Sequence, residues 1–84
     1  MTESILERVR QLAADTLAIP LDDVQPQSSP ETIEAWDSMQ HLNLLLELEG
    51  SFRLRFSSRE IAGMTDIASI VRTITQKTGG QSRS

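Results

Sequence analysis

The residues with the most chemical potential sit mid-chain, where Trp36, Asp37, Ser38 and Met39 join a polar, proline-containing stretch to an apolar run. A serine at the start of a helix has unbonded backbone N–H groups and the positive end of the helix dipole beside its hydroxyl. Both favour a phosphate ester on that hydroxyl. Taken without context, Asp37 and Ser38 are equally ordinary helix caps. An Asp-Ser-Leu/Met triplet arises by chance in roughly a few per cent of chains of this length at average residue usage. His41, the sole histidine, lies three residues beyond Ser38, near enough on a helix to be its neighbour. Nucleophilic catalysis would also need a group to orient the base, an oxyanion hole and a substrate pocket. Nothing in the chain supplies them, so His41 reads as a partly exposed residue at the edge of a core face. Trp36 reads as a packing anchor, with contact to a partner or a prosthetic arm as its second reading.

These residues must be positioned by a chain of 84 residues, enough for one small domain. Cysteine is absent and there is one histidine, which excludes disulfides and thiolate or histidine-based metal sites. The net charge of −4 argues against nucleic-acid binding and suits partners with basic surfaces. No apolar run reaches the length of a membrane span, and Met1-Thr2-Glu3-Ser4 lacks the pattern of a signal peptide, so the expected location is cytoplasmic.

Helical spacing of Ile5, Leu6, Val9, Leu12, Ala13 and Leu17 predicts a first helix from Glu3 to Ala18, capped by Thr2 and stopped before Pro20. Leu21 to Ala35 reads as a long loop anchored by Val24 and Ile33, with Asp22 and Asp23 as solvated surface rather than a metal site. A second helix is expected from Ser38 to Glu49, with Gly50 at its C′ position. Leu44, Leu45, Leu48 and Phe52 fall on one side of it, a natural core face, and Met39, Leu42 and Leu46 fall on the other. Five leucines between positions 42 and 48 exceed the needs of one face. Either the second stripe meets partners or the bundle wraps the helix on both sides. Phe52, Leu54 and Phe56 alternate with Arg53 and Arg55 and read as an extended loop feeding alternate side chains inward. A short helical turn follows at Ser57 to Met64, with Ile61 and Met64 inward. A last helix is then capped by Thr65 and runs to Lys77 with a stripe of Ile67, Ile70, Val71 and Ile74. Residues 1–78 form the expected domain and 79–84 a disordered polar tail. The fold class is all-α: three main helices plus one short helix.

The segment Asp37-Ser38-Met39 resembles the D-S-L attachment motif of the acyl and peptidyl carrier protein family. The resemblance extends over about residues 3 to 77 in the order of its features: helix, long loop, motif, leucine-rich helix, Phe-x-apolar-x-apolar segment, short helix and last helix. It implies an acyl-carrier-like bundle and a free-standing carrier, not an enzyme. Ser38 would accept 4′-phosphopantetheine from coenzyme A, making the chain a phosphoprotein, and Asp37 would flank it and help the transferase dock. Met39, Leu42, Asn43, Leu46, Glu47 and Glu49 would be partner-facing positions on the recognition helix. The implied partners are a phosphopantetheinyl transferase, an acyl-loading ligase or acyltransferase, and a downstream synthase or transferase, with the chain itself a monomer. Some positions depart from the family pattern. Ala35 stands in place of a frequent glycine, Gln40, Asn43 and Gly50 in place of acids, and Arg53 and Arg55 add positive charge just past the helix. The acidic face is thereby diluted, which implies a specialised biosynthetic pathway rather than fatty-acid synthesis. Two alternatives stand beside this reading: a peptidyl or D-alanyl carrier loaded by an adenylating ligase, and an unmodified helical interaction module.

Overall fold

A computed structural model describes residues 4–79, and among these the secondary structure is entirely helical. The helices are α1 (Ile5–Leu17), α2 (Ser38–Phe52), α3 (Ser58–Gly63) and α4 (Ile67–Thr78), with a single 3₁₀ turn at Leu21–Asp23 in the long loop. α1 packs against both α2 and α4. The core is one cluster built from the apolar stripes: Val9, Ala13 and Leu17 of α1, Leu44, Leu45 and Leu48 of α2, and Ile67, Ile70 and Ile74 of α4. Val24, Ile33, Trp36, Phe56 and Met64 fill it from the connections, so both loop anchors expected from the sequence are buried. None of the helices in the described residues is long and apolar enough to cross a membrane.

The ends of the helices differ from the expectations in instructive ways. Ser4, not Thr2, caps α1, its hydroxyl accepting from the Glu7 N–H; Thr2 lies outside the described residues. α1 closes at Leu17 because Ala18 turns left-handed, at a φ of 58°. α2 passes through Gly50 and ends at Phe52, with Arg53 rather than glycine in the left-handed position. A glycine inside a helix costs about 1 kcal/mol. Phe52 offsets that by packing on the core, with the Arg8 guanidinium 4.7 Å from its ring centroid. Arg8 also donates to the Ser51 hydroxyl and carbonyl, tying the last turn of α2 to α1. Phe52 is therefore helical, and only Leu54 and Phe56 enter from the following loop.

Asp66, not Thr65, caps α4. Its carboxylate accepts from the Ser69 N–H at 2.8 Å, and Ser69 reaches back to the Asp66 N–H at 3.0 Å. α4 ends one residue beyond Lys77, and Gly79, placed above in the tail, closes it at a φ of 75°. The rest of that tail, 80–84, lies outside the described residues.

The long loop is held by backbone bonds at several points. Arg10 donates from Nε to the Val24 carbonyl at 2.6 Å and from Nη2 to that of Leu21 at 3.1 Å. The buried Ser28 hydroxyl accepts from the Gln25 N–H at 2.9 Å. The Ile67 and Ala68 N–H groups, unpaired within α4, donate to the carbonyls of Ser28 and Pro26 at 3.0 and 2.8 Å. The loop thus completes the N-terminus of α4 and fixes the path by which the chain reaches Trp36.

Candidate functional site

The loop delivers the chain to the N-terminus of α2 through Trp36, whose side chain is 1% exposed. Its N–H donates to the Ile33 carbonyl at 3.0 Å, and its indole Nε1–H donates to His41 Nδ1 at 3.0 Å. The two rings lie 5.7 Å apart between centroids. Trp36 is thus the packing anchor expected of it, and His41 is half-buried beside it. With Nδ1 accepting from the indole, the neutral form of His41 carries its proton on Nε2. Burial lowers its pKa from the ordinary value, and a bond with the Met64 backbone offsets this in part.

Asp37 is the N-cap of α2. Its carboxylate accepts from the Gln40 N–H at 2.9 Å and its carbonyl from the His41 N–H at 2.8 Å. Ser38 is therefore the first residue of the helix and is exposed. Its Oγ has no hydrogen-bond partner among the described residues, and neither have the N–H groups of Ser38 and Met39, which precede the first intrahelical bond. A reactive serine would need a base, and the one nearby imidazole has its acceptor nitrogen occupied by Trp36. What the arrangement offers is an accessible hydroxyl at the electropositive end of a helix, with two N–H donors free for an anion. A phosphodiester on Ser38 fits that environment.

The positions expected from the sequence to face partners extend along α2 from this end. Met39, Leu42 and Leu46 are 73%, 57% and 64% exposed, while Leu44, Leu45 and Leu48 are buried, so the two stripes have opposite surroundings. Glu47 is exposed, and the Asn43 amide donates to the Gln40 side-chain carbonyl at 3.1 Å. Glu49 differs: it is half-buried, and its carboxylate accepts from the Phe56 N–H at 2.8 Å, bracing the turn beyond α2. The sequence reading did not find the Trp36–His41 bond, the Glu49–Phe56 bond or the Arg10 clamp. None has a local signature, since each joins groups that only the folded chain brings together.

No family model matches the sequence. A protein named acyl carrier protein from Rubrobacter xylanophilus is 31% identical over 70 residues, spanning 82% of this chain and 85% of that relative. Similarity over 70 of 84 residues includes the segment around Ser38 wherever the match begins. It makes the chain a member of the acyl carrier protein family, a carrier and not a catalyst.

Proposed function

We propose that the protein carries acyl or aminoacyl groups on a 4′-phosphopantetheine arm joined to Ser38 Oγ and presents them to successive enzymes of a specialised biosynthetic pathway. The observation that carries this reading is the exposed, unbonded Ser38 hydroxyl at the N-terminus of α2. The family generally bears this group, whose thiol supplies the thioester chemistry when bound. The chain's own residues hold and orient. Asp37 fixes the helix start, with its carboxylate turned to the Gln40 N–H. The free N–H groups of Ser38 and Met39 are suited to the phosphate oxygens, and the Trp36–His41 bond ties the end of the preceding loop to α2.

The apolar stripe of Met39, Leu42 and Leu46 is the surface for partner enzymes: a phosphopantetheinyl transferase, a loading ligase or acyltransferase, and a downstream synthase. Apolar contact dominates there, because Gln40 and Asn43 stand where other carriers place acids, so salt weakens recognition only moderately. The location that goes with this role is the cytoplasm.

The test is intact mass after incubation with coenzyme A and a broad-specificity phosphopantetheinyl transferase. The wild-type chain gains the mass of one phosphopantetheine. Ser38→Ala gains none and keeps its helical circular dichroism. Modification that survives in Ser38→Ala, or a wild-type chain that is never modified, overturns the assignment.

A further inference from the structure

The exposed stripe of α2 ends in a feature of different character. A shallow cavity of about 500 Å³ is lined by Leu46, Glu49, Gly50, Arg53, Leu54 and Arg55. Its apolar part is the exposed Leu46 with the half-buried Leu54, and its rim carries two exposed arginines. Neither guanidinium has a hydrogen-bond or ion-pair partner among the described residues, where the single ion pair is Lys77–Glu60. The one carboxylate in the cavity, Glu49, is committed to the Phe56 N–H. The cavity thus sets two arginine charges against the one carboxylate of Glu49, a local excess of positive charge on a protein whose net charge is −4. At physiological salt, charges beyond about 8 Å are largely screened, so the local pair governs what docks.

A cation near the C-terminus of a helix complements its dipole, and that accounts for one arginine in contact with the last turn. It does not account for Arg55, two residues further on, or for the exposed Leu46 that lines the cavity from within α2. Nor is Arg53 there for its backbone: it occupies a left-handed position, at a φ of 57°, that glycine fills without strain. Ala18 ends α1 in the same conformation, so the strain alone carries nothing. What is particular here is two unpaired guanidiniums at the mouth of a hollow whose apolar part is Leu46 and Leu54.

We infer that this end of α2 docks an acidic amphipathic segment of a partner protein, seating an apolar side chain between Leu46 and Leu54 and two carboxylates on Arg53 and Arg55. Arginine suits this through its planar, bidentate donors. The docking point extends from about 12 Å along the helix from Ser38, at Leu46, to about 22 Å, at Arg53, at 1.5 Å rise per residue. A partner gripping it can therefore reach the serine end without covering it. The inference rests on the carrier reading for the partner's nature, and the two fail separately.

The probe is a pair of synthetic helical peptides, one with glutamates flanking leucines at helical spacing, the other with lysine in place of each glutamate. Each is titrated into the isotopically labelled full chain and followed by NMR. The glutamate peptide shifts the Leu46 and Leu54 methyl signals and the Arg53 and Arg55 Nε–H signals saturably. The double variant Arg53→Gly/Arg55→Ser weakens it about tenfold, as expected for loss of charge-assisted contacts. Glycine suits the backbone at 53, so the variant keeps its circular dichroism. The inference is overturned if the lysine peptide binds this end as well or better, if the shifts map to the Met39 end instead, or if neither peptide gives a saturable shift here. Phosphopantetheine loading of the same variant is read by mass. Loading without the peptide site removes only the inference, and the peptide site without loading removes only the carrier reading.

Discussion

The two faces of α2 carry the same kinds of side chain and meet opposite surroundings. Leu44 and Leu48 are wholly buried, while Leu42 and Leu46 are more than half exposed. A helix that needed only to fold would place polar residues on its outer face. The inner leucines are accounted for by the core, and the outer ones are not. The contrast separates what the sequence uses for folding from what it leaves available for contact. Substitutions should follow the same division.

The largest effect is on the inner face. Leu48→Ala removes a fully buried side chain and should cost about 2–5 kcal/mol, measured by urea unfolding. In a domain this small, that is enough to unfold much of the population. A loss below about 1 kcal/mol would mean that the core tolerates a gap at this point and that the two faces are less distinct than their exposures.

Next comes His41, at the border between the faces. Its folded pKa is depressed by burial, so the unfolded chain binds the proton more readily. The contribution is therefore fully present above the ordinary imidazole value of about 6.5 and is lost as pH falls through the lower folded value. One proton gives a slope of at most about 1.4 kcal/mol per pH unit, and partial exposure makes it smaller. Glu31 and Asp66 are the titratable groups that line the same groove. Protonation removes the acceptor of the Trp36 indole, so fluorescence of the sole tryptophan should change in the same window. Glu60 and Asp66 act at lower pH. Bonds to the Ser57 backbone, then to Lys77, lower the Glu60 pKa, and the hydroxyl and N–H of Ser69 lower that of Asp66. Their contributions are present above the ordinary carboxylate range and are lost as pH falls through the lowered values. A tryptophan signal flat from pH 7 to 5, with wild-type stability, would show that His41 does not titrate against the fold.

How much of this was legible beforehand depends on the range over which each feature is decided. The stripes of α1, α2 and α4 and the buried anchors Val24 and Ile33 follow from spacing, because the helical period alone decides which residues share a face. The Asp37-Ser38 junction was legible for the same reason: caps are local. Two caps were misassigned although the signal was present, since Ser4 with Glu7 and Asp66 with Ser69 both have the three-residue spacing of a capping pair. The end of α2 was not legible. Gly50 is a strong local stop, overruled by Phe52 on the core and Arg8 on its ring, and that balance is tertiary. Glu49 has the same lesson, as its Phe56 bond depends on a turn that exists only because α2 runs on.

Gly50 gives the third test. It is an exposed, helical glycine, and a Cβ built there meets nothing within 4 Å. Gly50→Ala should stabilise by about 0.5–1 kcal/mol through helix propensity alone, read as a rise in the urea midpoint. A destabilised variant would mean that α2 relies on freedom at Gly50 to bring Phe52 onto the core.

The smallest effect on stability belongs to Leu46, and it tests the comparison most directly. Leu46 is 64% exposed, so placing a carboxylate there buries no charge and removes little apolar area from the core. Surface changes of this kind usually stay within about 0.5 kcal/mol. Leu46→Glu should leave the melting temperature nearly unchanged and slow phosphopantetheine transfer to Ser38 or transfer by a cognate enzyme. The two readouts fail differently. Unfolding would place Leu46 in the core and abolish the outer face as a separate surface. An unchanged rate and an unchanged melting temperature would leave the outer leucines without a role in recognition and would move the partner surface to the Leu21–Ala35 loop. Slow transfer by a fully folded variant is the outcome expected of an outer face that meets partner enzymes.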